Sequence, residues 1–184
     1  MPYDPALPVP PTPAAYGAMV ARVTADWDVR LAFEPGRVIV GNAGALLTRV
    51  VRVKRGVADP FVIVDAGMND LLRPSLYDAW HDIRAVAPGG ERFTASVVGP
   101  VCESGDTFAT GRDIDRVAAG DLVCFMTAGA YGATMASTYN SRALTPEVLV
   151  DGNKWAIVRA RQPLEALIAA DSLPPWLESG EIDA

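Results

Sequence analysis

The stretch Thr94-Ala95-Ser96-Val97-Val98-Gly99-Pro100-Val101-Cys102-Glu103-Ser104-Gly105-Asp106 opens as a short β-rich run and closes as a turn. Thr and Val suit a pleated, half-buried surface, whereas Gly-Pro and Ser-Gly-Asp favour chain reversal. The turn also sets a thiol directly beside a carboxylate at the end of a predicted strand. A thiol can deliver a proton and a carboxylate can hold an amine, which makes Cys102 and Glu103 candidates for chemistry. The same residue types also build ordinary turns, and Cys often serves as a small buried hydrophobe.

The same alternation of short β-rich run and breaker recurs outward from this point. Runs at 46–54, 61–65, 81–86, 121–126 and 147–161 are separated by Gly, Pro, Asn and Asp clusters at the spacing of a β-sandwich or barrel. The chain therefore reads as mainly β with some α. Upstream, a Pro-rich lead-in at 2–13 gives way to a helix predicted over 13–25. Thr12 then Pro13 make its start, and Tyr16, Met19, Val20 and Val23 share one face. Val29, Leu31 and Phe33 alternate with Arg30 and Ala32 as in a strand that stops at Glu34-Pro35-Gly36-Arg37. Downstream, a helical break follows Gly129, a short helix starts at Pro163, and the tail at 172–184 packs one aromatic and then frays.

With 184 residues, half of them hydrophobic, the chain can bury one ordinary core, or one domain plus a piece of another. A net charge of −6 without any Lys/Arg run argues against a nucleic-acid or anionic-membrane partner, and leaves a small molecule or another protein. No charged-then-apolar leader begins the sequence, and no apolar run approaches the roughly 18 residues of a membrane span. Two cysteines suit a reducing cytoplasm. A single His and no paired Cys clusters argue against a metal site, so none is predicted.

Three further clusters offer chemistry. In Glu34-Pro35-Gly36-Arg37, Gly36 allows close backbone approach and Arg37 presents a fork of donors to a carboxylate or phosphate, although the same four residues also make a tight turn with a surface Arg. In Asp65-Ala66-Gly67-Met68-Asn69-Asp70, followed by Arg73-Pro74-Ser75-Leu76-Tyr77, a helical turn would place Arg73 and Tyr77 on one face for an anionic group. The plainer alternative is an exposed Arg with a packed Tyr. In Ala128-Gly129-Ala130-Tyr131-Gly132, small residues surround one phenol that either meets a flat ligand or packs as a core Tyr. Tyr139-Asn140-Ser141-Arg142 reads as structural.

Taken in order, these five motifs resemble the diaminopimelate decarboxylase family, within the fold type III, pyridoxal-phosphate-dependent decarboxylases that also include ornithine and arginine decarboxylases. The resemblance runs from about Tyr3 to Ala170. It implies a (β/α)8 barrel carrying pyridoxal 5'-phosphate, joined to a C-terminal β-domain, in head-to-tail homodimers that share active sites. Here 1–44 would be the remnant of the barrel's C-terminal end, 45–162 the β-domain and 163–184 a C-terminal helix and tail. By the same resemblance Glu34, Pro35, Gly36 and Arg37 would line the cofactor phosphate, with Arg37 also reaching a substrate carboxylate. Arg73 and Tyr77 would bind the distal carboxylate, and Tyr131 would contact cofactor and substrate. Cys102 would be the proton donor and Glu103 the holder of the distal ammonium, both in the partner's site.

One departure matters. The family holds its cofactor through a barrel Lys, and neither Lys54 nor Lys154 matches that position. The chain therefore reads as a C-terminal portion, inactive alone. The alternatives are a decarboxylase of another diamino acid, such as ornithine, arginine or carboxynorspermidine, or a non-catalytic β-module that pairs with a full-length subunit.

Overall fold

Alternation along Leu46–Lys54 (β1) turns Thr48 and Val50 inward, where both are buried, and leaves Leu47, Arg49 and Val51 facing out. Five more strands build on it in a computed structural model that describes residues 3–4 and 6–178: Phe61–Val64 (β2), Ile83–Ala85 (β3), Arg92–Val98 (β4), Thr107–Asp115 (β5) and Leu122–Phe125 (β6). Their order in the sheet is β3-β6-β1-β2-β4-β5. The β2–β4 pair is parallel and every other neighbouring pair is antiparallel.

The sheet curls until its two edges meet. Asp115 on β5 accepts from the Ala85 amide of β3 at 2.9 Å, and Arg112 donates to the His81 carbonyl at 2.9 Å while lying 4.4 Å over the Trp80 ring. Side chains thus bridge the two edges of a barrel-like sheet that backbone pairing leaves open. Inside lie Val50, Val62, Val64, Leu71, Val97, Val123 and Phe125, all almost wholly excluded from water, with Phe108 tilted against Phe125 at 4.4 Å.

Around this core sit Pro13–Val23 (α1), Gly36–Val40 (α2), Arg73–Tyr77 (α3), a hairpin of Glu147–Asp151 (β7) and Lys154–Arg159 (β8), and the short helices Leu164–Ile168 (α4) and Pro175–Glu178 (α5). Thr12 caps α1 through its hydroxyl, which accepts from the Ala15 amide at 3.1 Å. A 3-10 turn, Gly41–Ala43, carries α2 toward β1. Two close approaches fix that junction. The Gly129 amide donates to Gly41 at 3.1 Å, the Ala128 amide donates to Gly44 at 2.8 Å, and a Cβ on Gly129 would lie 2.0 Å from the Val40 carbonyl oxygen.

Several expectations change. Residues 29–33 pair with no strand: alternation alone does not make a ladder without a neighbour, and Val29, Leu31 and Phe33 stay exposed. The run at 147–161 is two strands, because Gly152 takes a left-handed φ of 59° and reverses the chain. β5 was not expected, since Gly111 and its alternating Arg and Asp mask a strand whose inward residues are Phe108, Ala109 and Ile114. α1 stops at Val23, and the break after Gly129 is a 3-10 turn, Ala133–Met135. Pro163 is the N-cap of α4 and not its first residue. Trp176 is largely exposed, and the expected fraying at 179–184 lies outside the described residues.

Apolar surface is extensive outside the barrel. No residue of α1 is buried, and Val148, Leu149, Val150, Trp155, Ile157 and Val158 of the hairpin are all exposed. Among the described residues no helix is long and apolar enough to cross a membrane.

Candidate functional site

The turn before α3 is built from its own polar side chains. Asp70 accepts from the Gly67 amide at 2.9 Å and from the Asn69 amide group at 3.1 Å, and Arg142 reaches in to Asn69 at 2.8 Å, the Asp65 carbonyl at 2.6 Å and Asp70 at 3.4 Å. This turn delivers Arg73 into the interior at only 8% exposure. Its guanidinium lies 4.7 Å from the Tyr3 ring and 5.8 Å from the Tyr131 ring, while that of Arg37 lies 5.9 Å and 5.7 Å from the same two rings. Two cations thus flank two phenols, an arrangement in which ring faces partly offset mutual repulsion and leave the N–H edges for an anion.

His81 completes one side. Its Nδ1 donates to the Met126 carbonyl at 2.9 Å, and its ring meets Tyr3 edge-on at 5.3 Å. Burial, reinforced by the nearby Arg73 and Arg112 charges, pushes its pKa below the ordinary 6.5 against the Met126 hydrogen bond, which keeps the imidazole neutral. Arg73 Nη1, His81 Nε2 and the Tyr3 hydroxyl are all buried without a hydrogen-bond partner among the described residues. Buried polar atoms are rarely left so: Arg73 Nη1 and the Tyr3 hydroxyl can donate to an anionic group, whereas His81 Nε2, unprotonated while Nδ1 donates, can only accept.

Tyr131 has a left-handed φ of 61° on a side chain that is 44% exposed. Gly132 permits this sharp turn, since a Cβ there would lie 2.3 Å from the Ala128 carbonyl oxygen. Strained backbone that presents a half-exposed phenol beside two arginines favours the ligand-facing reading of Tyr131 over the core one.

The Cys102-Glu103 loop forms a separate part. Cys102 is exposed and unbonded to another Cys. Glu103 is exposed, accepting from the Gly105 amide at 3.3 Å and the Tyr139 hydroxyl at 3.5 Å. No hydrogen bond, ion pair or ring contact joins either residue to Arg37, Arg73 or Tyr131 among the described residues. The loop connects to α3 through the Ser75 hydroxyl, which donates to the Gly105 carbonyl.

The structure therefore assembles Arg37, Arg73 and Tyr131, and holds Cys102 and Glu103 together on their own loop. Arg73 and Tyr77 stand at the two ends of the five-residue α3, the first buried and the second 62% exposed. Glu34 and Pro35 stand exposed ahead of α2, where the Glu34 carbonyl accepts from the Gly36 amide at 2.9 Å. Tyr3 and His81 enter the site without having been given a role there, whereas Asp106 and Arg142, quoted in two of the motifs, support it. A lone Tyr amid prolines and the single His were the available signals, yet neither shows its neighbours in sequence.

The donor set suits the anionic and aromatic parts of pyridoxal phosphate, since Arg37 and Arg73 with the unpartnered Nη1 match a phosphate or carboxylate and the phenols can face a ring. It does not include the amine. Lys54 and Lys154 are exposed on β1 and β8 and form no hydrogen bond or ion pair with these groups.

Comparison with known proteins agrees with this composition. Residues 3–129 match the family model described as pyridoxal-dependent decarboxylase, C-terminal sheet domain. The chain is 55% identical over 170 residues to the diaminopimelate decarboxylase of Zymomonas mobilis, covering 92% of this chain and 40% of that protein. A diaminopimelate decarboxylase structure from M. jannaschii superposes with a TM-score of 0.88 at 35% identity, over 96% of this chain and 42% of that one. The Helicobacter pylori enzyme complexed with L-lysine superposes with a TM-score of 0.76 at 41% identity, over 91% and 39% of the two chains. The chain thus spans about 40% of the length of the curated relatives it matches.

Proposed function

Because the chain belongs to the pyridoxal-dependent decarboxylases, as their C-terminal sheet domain, we propose that it serves the decarboxylation of meso-2,6-diaminopimelate to L-lysine and CO2. The observation that carries this reading is the pair Arg37 and Arg73 around Tyr3 and Tyr131, with Arg73 Nη1 buried and unpartnered. A substrate with an amino-acid centre at each end needs a cation for its distal carboxylate and an anion for its distal ammonium. Arg73, with Tyr77 at the rim, takes the carboxylate and Glu103 the ammonium. Arg37 and Tyr131, with Glu34, Pro35 and Gly36 ahead of them, face the cofactor phosphate and the substrate.

Pyridoxal phosphate, when bound, supplies the ring that delocalises the electron pair left by CO2. Cys102 Sγ then gives its proton to the substrate carbon, from a loop that serves the partner subunit's site in a homodimer. Residues 1–44 complete a barrel carried outside this sequence, 45–162 form the β-domain and 163–184 its C-terminal helix and tail. On this reading the chain alone is inactive, because it lacks the cofactor's lysine. Joined to a lysine-bearing barrel, it should release CO2 from diaminopimelate; supplied only with pyridoxal phosphate it should not, and enzyme-like turnover by the lone chain would overturn that part. In the joined protein Arg73→Ala should lower kcat/KM for diaminopimelate by about 100-fold or more, the loss of a buried charge-assisted pair. Ornithine, which lacks the distal carboxylate, should be far less affected, and equal losses would refute the substrate assignment.

A further inference from the structure

Both side chains assigned to the Cys102 loop are exposed. What fixes them is the backbone of the loop, and that backbone converges on one buried carboxylate. Asp106 is 4% exposed, with Oδ1 accepting from the Met68 amide at 2.6 Å and Oδ2 accepting from the Val101 amide at 2.6 Å. Val101 immediately precedes Cys102, whereas Met68 lies in the Gly67–Asp70 turn that delivers Arg73. Main-chain bonds from Gly99 to the Asp106 carbonyl at 2.9 Å and from Asp106 to the Glu103 carbonyl at 3.0 Å shut the loop on itself. On the far side Ser75 of α3 donates to Gly105. Gly99 is fitted to the carboxylate: a Cβ there would fall 2.3 Å from Asp106 Oδ2.

We infer that Asp106 is the positioning residue that locks the Cys102-Glu103 loop to the turn bearing Arg73, a role that rests on the functions proposed above for those residues. One carboxylate gripping an amide on each element makes the proton-donor loop and the carboxylate-binding arginine a single rigid unit. Burial raises the Asp106 pKa, opposed by the two amides and by Arg142, so the ionised carboxylate depends on both clasps.

Asp106→Asn keeps the volume and one acceptor oxygen, and Asp106→Ala removes both clasps. In the full 184-residue chain, amide hydrogen exchange should show one of Met68 and Val101 losing protection in the Asn variant and both in the Ala variant, while core amides such as Val123 and Phe125 stay protected. Exchange of the Gly99 and Asp106 amides, which close the loop, should quicken in the same graded order, reaching about tenfold for Ala, as expected of a loop released from its anchor. A merely structural role would lower core protection along with that of the loop. If Asp106→Ala fails to fold, Asp106→Asn and Ser75→Ala carry the test. Exchange at both Met68 and Val101 within twofold of wild type in a folded variant overturns the inference. The functional reading is judged separately, since loss of loop order with unchanged turnover of a Cys102→Ser barrel-joined enzyme would refute the role of Cys102 and leave the anchoring intact.

Discussion

Gly99 shows how one residue type can be dictated by a neighbour far along the loop. Its backbone φ is not left-handed, so conformational freedom is not why it is glycine; space is. With the Asp106 carboxylate 2.3–2.6 Å from where a Cβ would stand, and held there by two amides, neither side can yield cheaply. Gly99→Ala should therefore destabilise the folded chain by about 2 kcal/mol or more, the usual size for a forced steric conflict at a buried polar network. A urea titration monitored by far-UV circular dichroism checks it, and an unchanged midpoint would show that the loop relaxes freely. Arg73 is the complementary case. From sequence it reads equally well as an exposed charge, and only its burial beneath Tyr3 and beside Tyr131 sets it apart.

At the scale of elements, the junction between the α2 segment and the end of β6 is a close backbone seam. Gly44 and Gly129 pack backbone against backbone, and this contact carries Arg37 toward Tyr131. Gly129→Ala would drive a methyl into the Val40 carbonyl. It should cost more than 2 kcal/mol and also separate the two arginines, because α2 must move away. The measurement is again a urea midpoint, accompanied by the loss of protection at the Gly129 and Ala128 amides; retention of both would show that the seam is not rigid. The short β-rich runs were legible element by element, since five of the expected runs contain observed strands and a sixth, at 94–98, lies within β4. β5 was not, because Gly111 and the charges of Arg112, Asp113 and Asp115 disguise a strand that buries Phe108 and Ile114. The 29–33 run failed for the opposite reason: its pattern is that of a strand, but a strand needs a partner.

At the scale of the whole molecule, pH dependence follows from the few buried titratable groups. His81 is the only His, and its folded pKa lies below 6.5. Between those values the unfolded state binds more protons, so its contribution is fully present above pH 6.5 and falls as the pH drops below it. Asp65 adds a second loss further down. Burial raises its pKa, but the Thr48 hydroxyl, the Arg49 amide and the Arg49 charge outweigh this and hold it below 3.8, so its contribution is present above 3.8 and lost as the pH falls through the folded value. Asp106 has the opposite sign, since a raised pKa favours the folded state on acidification. The urea midpoint should therefore drop between pH 7.5 and 5.5, and His81→Gln should remove most of that drop; an equal drop in the variant would remove His81 as its source.

The sequence by itself determined the β-rich character, the sites of most strands and the order of motifs that place this chain in its family, because hydrophobic alternation and turn chemistry act over a few neighbouring residues. It also showed the lack of a suitable lysine. Only the tertiary structure decided that Arg37, Arg73 and Tyr131 gather around Tyr3, that Arg73 is buried while Tyr77 is exposed, and that Asp106 clamps two loops. Those outcomes depend on which residues far apart in the chain the closing sheet brings within bonding distance, and no local pattern encodes that.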